Sequence, residues 1–169
     1  MESKNYICGG NKFAYSKGYI GLPVVVNNLP ETIEVNEATL LRKTSFHVSL
    51  ICVKDILDKK PDAEQVILND FCEFTKENDI SFFQYTGEFR FAEHEDRKTL
   101  VALCEVSNLK GFSEMLSAKL GVEIPAQPTH VTLFTLQPDM GIGLNTPEDM
   151  ESKSIRVDVS LEVGRSLNI

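Results

Sequence analysis

Apolar residues alternate with polar ones, or run together in short stretches, along most of the chain, and these stretches are rich in β-branched and aromatic residues. Both patterns are typical of β-strands. Strands are therefore predicted over residues 18–26, 32–35, 46–53, 80–85, 88–93, 99–106, 129–136 and 155–163. The strand over residues 32–35 is expected to pair with the strand over residues 18–26 as a hairpin. Pro23 indicates that the strand over residues 18–26 lies at an edge of the sheet or contains a bulge.

Two longer stretches, residues 62–77 and 109–120, place their large apolar side chains at helical spacing. Such a stripe is typical of a helix with one buried face. Gly121 is suited to end the second helix, because glycine readily adopts the left-handed backbone of a C-cap. Gly87 is expected to form a turn between strands, and residues 137–153 a long polar loop.

Groups of strands with helices between them predict an α+β fold with antiparallel sheets. A chain of 169 residues is long enough for one core and too short for two ordinary domains, so residues 1–169 are expected to form a single domain. Its polar, glycine-punctuated first 17 residues are expected to be loosely ordered. No apolar run is long enough to span a bilayer. Met1 to Lys4 lack the layout of a signal peptide, so no membrane partner is expected.

Charge and cysteine content narrow the partners and the compartment. The net charge of −8 disfavours binding of a long nucleic acid, whose phosphates an acidic surface repels, but is compatible with a small phosphorylated ligand in a local cavity. The four cysteines are widely scattered, and three of them lie in apolar segments where a thiol behaves as a small hydrophobic group. This usage favours the reducing cytoplasm and argues against a zinc site. We also expect a monomer.

The candidate chemistry lies in two similar strand segments, His47-Val48-Ser49-Leu50 and His130-Val131-Thr132-Leu133. Alternate side chains of a strand point to opposite faces. In each segment the histidine and the hydroxyl residue therefore share one face, while valine and leucine face the other. Two of the three histidines of the chain occur in this setting.

Two imidazoles and two hydroxyls around one anion suit hydrolysis of a phosphodiester without a metal or other cofactor. One histidine takes a proton from the attacking oxygen, the other protonates the leaving oxygen, and the hydroxyls donate to the anionic oxygens. Three other interpretations are weighed against this one. The histidines can be half-buried structural residues. A metal site would need a third ligand, which neither segment supplies at nearby positions. A serine–histidine–acid triad lacks its Gly-x-Ser-x-Gly signature.

The paired segments, 83 residues apart, resemble the two His-x-Ser/Thr motifs of the 2H phosphoesterase superfamily. That group includes RNA 2′,3′-cyclic phosphodiesterases, 2′-5′ RNA ligase-like proteins, 2′-5′-oligoadenylate phosphodiesterases and phage nucleases of cyclic oligonucleotides. The resemblance implies a bilobal fold, in which two antiparallel sheets flanked by helices face a central cleft. It further implies that His47 and His130 form the acid–base pair and that Ser49 and Thr132 bind the substrate phosphate.

Weaker signals surround the motifs. Aromatic residues near the strands, among them Tyr19, Phe46 and Phe134, are candidates for stacking on a base, although most are expected in the core. Arg90 and Lys98 flank a charged turn, and one of them is a candidate phosphate contact. Gly141 and Gly143 would let backbone N–H groups approach a ligand. The third histidine, His94, is expected in a solvated turn.

The sequence therefore predicts a metal-independent phosphodiesterase that hydrolyses a 2′,3′-cyclic phosphate, a 2′-5′ linkage or a cyclic oligonucleotide. The alternative is a protein that binds and sequesters nucleotide phosphates without cleaving them. A purely structural protein would place the two imidazoles far apart. Which histidine acts as the base stays open at this level.

Overall fold

The strands join into one large antiparallel sheet in the computed structural model, which describes residues 5–169. The described strands are β1 (Asn5–Ile7), β2 (Phe13–Ser16), β3 (Tyr19–Val24), β4 (Thr32–Val35), β5 (Ala38–Arg42), β6 (Phe46–Cys52), β7 (Phe82–His94), β8 (Arg97–Val106), β9 (His130–Thr135) and β10 (Ser154–Val157). Their order is β1-β2-β3-β6-β9-β8-β7-β10, and β5 pairs with both β4 and β9. The α+β class and the antiparallel pairing are thus confirmed.

The two motif strands, β6 and β9, are neighbours in the middle of this sheet. These two strands are antiparallel and pair at Val48 opposite Val131. Beyond that point β9 pairs instead with β5, through Leu41 opposite Thr135 and Arg42 opposite Phe134. The half of the sheet that contains β1, β2, β3 and β6 therefore meets the half that contains β9, β8, β7 and β10 at a short junction.

Five helices accompany the strands in the described part of the chain. They are α1 (Val53–Lys59), α2 (Glu64–Glu77), α3 (Leu109–Leu120), α4 (Pro147–Lys153) and α5 (Leu161–Ser166). The helices predicted over 62–77 and 109–120 are confirmed, and Gly121 ends α3 with a φ of +68°. None of the helices in this range is long and apolar enough to cross a membrane.

The hydrophobic core lies where helices α2 and α3 pack on the sheet. Phe71 of α2 is fully buried between the rings of Phe13 and Phe112, with centroids 4.8 and 5.3 Å away in edge-to-face geometry. Leu50 and Leu133 of the motif strands belong to the same core. Packing of these apolar faces fixes the orientation of β6 and β9, which leaves their opposite faces for His47, Ser49, His130 and Thr132.

The start of the chain is more ordered than its polar composition suggests. Residues 5–7 and 13–16 form strands, and Phe13 and Ala14 are buried. Cys8 is bonded to Cys72 of α2, which ties this segment to the helix. Residues 5–7 and 13–16 thus depart from the expectation of a loosely ordered start. Residues 1–4, and the signal-peptide argument made on them, lie outside the described range. The argument for a reducing compartment was based on four free cysteines, but Cys8 and Cys72 form a disulfide. The cytoplasmic location therefore stays a prediction.

Four local predictions also differ from the structure. Residues 147–153, the last part of the predicted loop, form helix α4. The chain passes through Gly87 as one strand, β7, because its φ of +91° accommodates an irregularity in the pairing with β8 rather than a turn. Residues 32–35 pair with β5 and not with the first predicted strand. The last strand stops at Val157, and Ser160 then caps α5 by accepting a hydrogen bond from the backbone N–H of Val163.

Candidate functional site

The four motif side chains line one cavity of about 650 Å³. β6 and β9 pair at Val48 opposite Val131, so the motif residues on either side of that pair lie at the junction. Each histidine has a hydroxyl two residues along its own strand and on the same face.

His130 is held in a defined tautomer. It is 8% exposed, and its Nδ1 lies 2.7 Å from the carbonyl oxygen of Pro128. A carbonyl oxygen only accepts hydrogen bonds, so Nδ1 carries the proton and the Nε2 of the neutral ring keeps its lone pair. Burial lowers the pKa of His130, the hydrogen bond to Pro128 partly opposes this shift, and the positive charge of Lys43 adds a smaller lowering effect. The neutral, proton-accepting form is favoured.

His47 lies on β6, on the other side of the junction and next to strand β3. It is partly buried, and its ring passes over Gly21, where an added Cβ would lie 3.5 Å from the histidine Cδ2. Gly21 is also the residue of β3 that pairs with Ser49. The absence of a side chain at position 21 keeps the space between this histidine and its neighbouring serine open.

Four cationic side chains share the cavity with the motif residues: Lys17, Lys43, Lys54 and Arg97. Asp139 is the single carboxylate residue among the lining residues. The Nζ of Lys54 lies 4.8 Å from the centre of the Tyr19 ring, in cation–π geometry. On a chain of net charge −8, this cavity is a local region of positive charge.

A loop of residues 137–146 borders the cavity and is held by hydrogen bonds along its length. The backbone N–H and the hydroxyl of Thr44 donate to the Asp139 carboxylate at 3.1 and 3.0 Å. Arg97 Nη1 donates to the carbonyl oxygen of Gly141 at 2.9 Å. Tyr19 donates its hydroxyl to Asn145 Oδ1 at 3.1 Å. The loop thus contacts both halves of the sheet.

Asn145 is the most connected residue of that loop. Its Nδ2 donates to Asp55 at 3.2 Å and lies 3.5 Å from the sulfur of Cys52, while Gln127 Nε2 donates to its Oδ1 at 3.4 Å. Burial of the Tyr19 hydroxyl raises its pKa, so it stays a protonated donor to this amide at neutral pH. Asn145 therefore holds the wall of the cavity next to the start of α1.

The weaker candidates from the sequence divide into two groups. Tyr19, Gly141 and Gly143 line the cavity together with the motif residues. Phe134 is fully buried in the core, and Phe46 packs at the edge of that core. Neither phenylalanine is among the lining residues, because core packing and not the cavity takes up their rings.

The charged candidates lie away from the cavity. Arg90 donates to the side chain and backbone of Ser154 at 2.7 and 3.0 Å, and these bonds join β7 to β10. Arg90 also pairs with Glu88 at 3.1 Å. Lys98 lies 3.4 Å from Glu93 on the neighbouring strand. His94 is exposed at the end of β7.

Sequence reasoning missed the four cations and Asn145. One signal was present, since Lys43 precedes His47 by four residues and Lys54 follows Ser49 by five, so both flank the first motif. Nothing local marks Lys17, Arg97 or Asn145, which come to the cavity from other strands and loops. Within residues 5–169, no three His, Cys, Asp or Glu side chains cluster closely enough to hold a metal ion.

Comparison with known proteins adds no relative: no family model, no curated protein and no solved structure matches the chain. The resemblance to the 2H superfamily therefore stays an expectation from the sequence.

Proposed function

We propose that this protein is a metal-independent phosphodiesterase of the 2H type, which hydrolyses a 2′,3′-cyclic phosphate, a 2′-5′ linkage or a cyclic oligonucleotide. The observation that carries the proposal is the convergence of His47, Ser49, His130 and Thr132 on one cavity. In this interpretation the two halves of the sheet act as the two lobes, and the short junction between β6 and β9 is the floor of the cleft.

His130 is assigned as the general base and His47 as the general acid. The Nδ1–H of His130 is directed at Pro128, which leaves Nε2 to accept a proton from the attacking water. The water oxygen forms a new bond to phosphorus, and the bond from phosphorus to the leaving oxygen breaks. His47 gives its proton to that leaving oxygen. The His130 proton returns to solvent after product release, and His47 is reprotonated there.

Ser49 and Thr132 are assigned to the phosphate. A hydroxyl can donate one hydrogen bond, and a phosphodiester in hydrolysis develops negative charge on its non-bridging oxygens. Ser49 shares a strand face with His47 and Thr132 with His130, so both hydroxyls line the cavity together with the acid and the base. The two hydroxyls stabilise this charge.

The test is turnover of 2′,3′-cyclic AMP, 2′-5′-linked oligoadenylate and cyclic oligoadenylate in the presence of EDTA. His47→Ala and His130→Ala should each lower kcat by about 10²–10⁴-fold, the usual contribution of a general acid or base. Thr132→Val, which removes the hydroxyl while keeping the shape, should lower kcat by a comparable factor. His94→Ala is the matched control, since His94 is exposed at the end of β7 and is not among the residues that line the cavity.

Three outcomes contradict the proposal: no turnover of any of these substrates, turnover that is abolished by EDTA, or turnover that both histidine variants leave unchanged. Tight binding in calorimetry, with intact ligand recovered afterwards, would instead support a sequestering protein that uses the same cations and hydroxyls.

A further inference from the structure

The cations of the cavity lie at both ends of the motif strands. Lys54 is the second residue of α1, which directly follows β6, and its backbone N–H donates to the carbonyl oxygen of Gly18, the residue after Lys17. Lys43 donates its backbone N–H to the carbonyl oxygen of Leu133 in the second half of β9. Because β6 and β9 are antiparallel, the end of β6 and the end of β9 lie on opposite sides of the Val48–Val131 pair. The two lysine positions are thus separated by the junction.

Arg97 lies on the same side as Lys43. It opens β8, in which Thr99 pairs with Thr135 at the end of β9. Lys43 precedes Val48 by five residues, and Lys54 follows it by six. Arg97 lies two residues before Thr99, whose partner Thr135 is four residues from Val131. These positions lie roughly 13–20 Å along the strands from the Val48–Val131 pair at 3.3 Å per residue. A phosphate held by the histidines therefore has cations on both sides of it along the cleft.

The positive charge of the cavity exceeds what one phosphodiester requires. Four cations and one carboxylate residue line it, and the carboxylate of Asp139 already accepts two hydrogen bonds from Thr44. A 2′,3′-cyclic mononucleotide carries a single negative charge at its cyclic phosphate. The chain as a whole is acidic, but the residues of the cavity are mostly basic, so the positive potential is concentrated in the cleft. Such a cleft favours a ligand with several negative charges.

We infer that the ligand of this cavity is an oligonucleotide, linear or cyclic, with phosphates on both sides of the one that is cleaved. The inference rests on the proposed function for the position of the scissile phosphate, and it selects the oligonucleotides from the three substrate types considered there. Lys17 and Lys54 contact the phosphate on one side, and Lys43 and Arg97 contact the phosphate on the other.

Salt dependence of binding tests this directly. Dissociation constants are measured by calorimetry between 50 and 200 mM salt with the His47→Ala, His130→Ala double variant, so that ligands stay intact. The probes are 2′,3′-cyclic AMP, 2′-5′-linked tetra-adenylate and cyclic triadenylate. Each phosphate neutralised contributes about −0.7 to the slope of log K against log salt for a single strand. The mononucleotide should have a slope of about −0.7, and at least one of the trivalent ligands a slope of about −2 and at least 10-fold higher affinity.

Single substitutions show whether the cations on each side of the junction contribute to the salt dependence of binding. Lys54→Gln and Arg97→Gln should each reduce the magnitude of the oligonucleotide slope by about 0.7 and leave binding of 2′,3′-cyclic AMP unchanged. Lys110→Gln is the control, because Lys110 lies on α3 with its side chain 83% exposed and does not line the cavity. Unchanged mononucleotide binding also shows that each variant is folded.

The outcomes separate this inference from the proposed function. Equal affinity and equal slope for all three probes overturn it, even where histidine-dependent turnover of 2′,3′-cyclic AMP supports the phosphodiesterase. A steep slope that depends on Lys54 and Arg97, without turnover by the unmodified protein, supports the multivalent ligand and contradicts the enzyme. The stronger of the two trivalent probes identifies a linear or a cyclic ligand.

Discussion

Acid should destabilise this protein through His130, and the size of the effect follows from its environment. Burial is the main cause that lowers the pKa of His130 below its ordinary value of 6.5, because the 8%-exposed ring loses the water that would solvate its charge. The hydrogen bond to Pro128 opposes this shift in part, and the cation of Lys43 adds a smaller lowering effect. The unfolded chain therefore binds a proton at a pH where the folded chain does not.

The stability that His130 contributes is fully present above pH 6.5 and is lost as the pH falls from 6.5 towards the lower pKa of the folded state. One proton taken up on unfolding corresponds to a slope of at most about 1.4 kcal/mol per pH unit. Domains are stable by only about 5–15 kcal/mol, so a loss of this size is readily measured.

The assay is urea unfolding at a series of pH values from 5 to 8 for the unmodified protein and for His130→Asn. Asparagine does not titrate, and its amide nitrogen can still donate to the carbonyl oxygen of Pro128, as His130 Nδ1 does. The free energy of unfolding of the unmodified protein should fall more steeply below pH 6.5 than that of the variant. His94→Asn, at an exposed position, should follow the unmodified protein. Parallel curves for the unmodified protein and His130→Asn would refute the reasoning.

Two further predictions concern the disulfide and the loop. Cys8→Ser, or reduction of the Cys8–Cys72 disulfide, should lower the free energy of unfolding by up to about 4 kcal/mol, since the bond closes a segment of 64 residues. A thiol assay first confirms that the bond is formed. Identical urea midpoints with and without reductant would then contradict this prediction. Asn145→Ala removes the acceptor of the Tyr19 hydroxyl and the donor to Asp55, so it should raise KM while leaving global stability within about 1 kcal/mol. Steady-state kinetics and urea unfolding test it, and an unchanged KM counts against a role for the loop.

Much of the fold follows from periodicity that can be read locally. Helices α2 and α3 were predicted because each has an apolar stripe long enough to specify its orientation. Helices α1, α4 and α5 have seven residues or fewer, too short to show a stripe or to be stable alone. They form because tertiary contacts hold them, as when Met150 of α4 is buried against the sheet.

Residue type alone did not decide which aromatic and charged side chains reach the cavity. Tyr19 and Phe134 both belong to strands near the motifs, but one lines the cavity and the other is fully buried. Arg90 and Arg97 are seven residues apart, and only Arg97 lines it, because Arg90 is directed towards β10. These differences depend on which strand packs beside each residue, a non-local property of the sheet.

The sequence by itself determined the faces of the motif strands, because alternation in a strand depends only on neighbouring residues. It thereby indicated that each histidine shares a face with a hydroxyl. Only the tertiary structure decided that the two faces meet, since this requires β6 and β9, whose histidines are 83 residues apart, to pair at Val48 and Val131. The same is true of the positive charge around them. Long-range strand pairing collects cations from four separate segments of an acidic chain, and no local pattern records that arrangement.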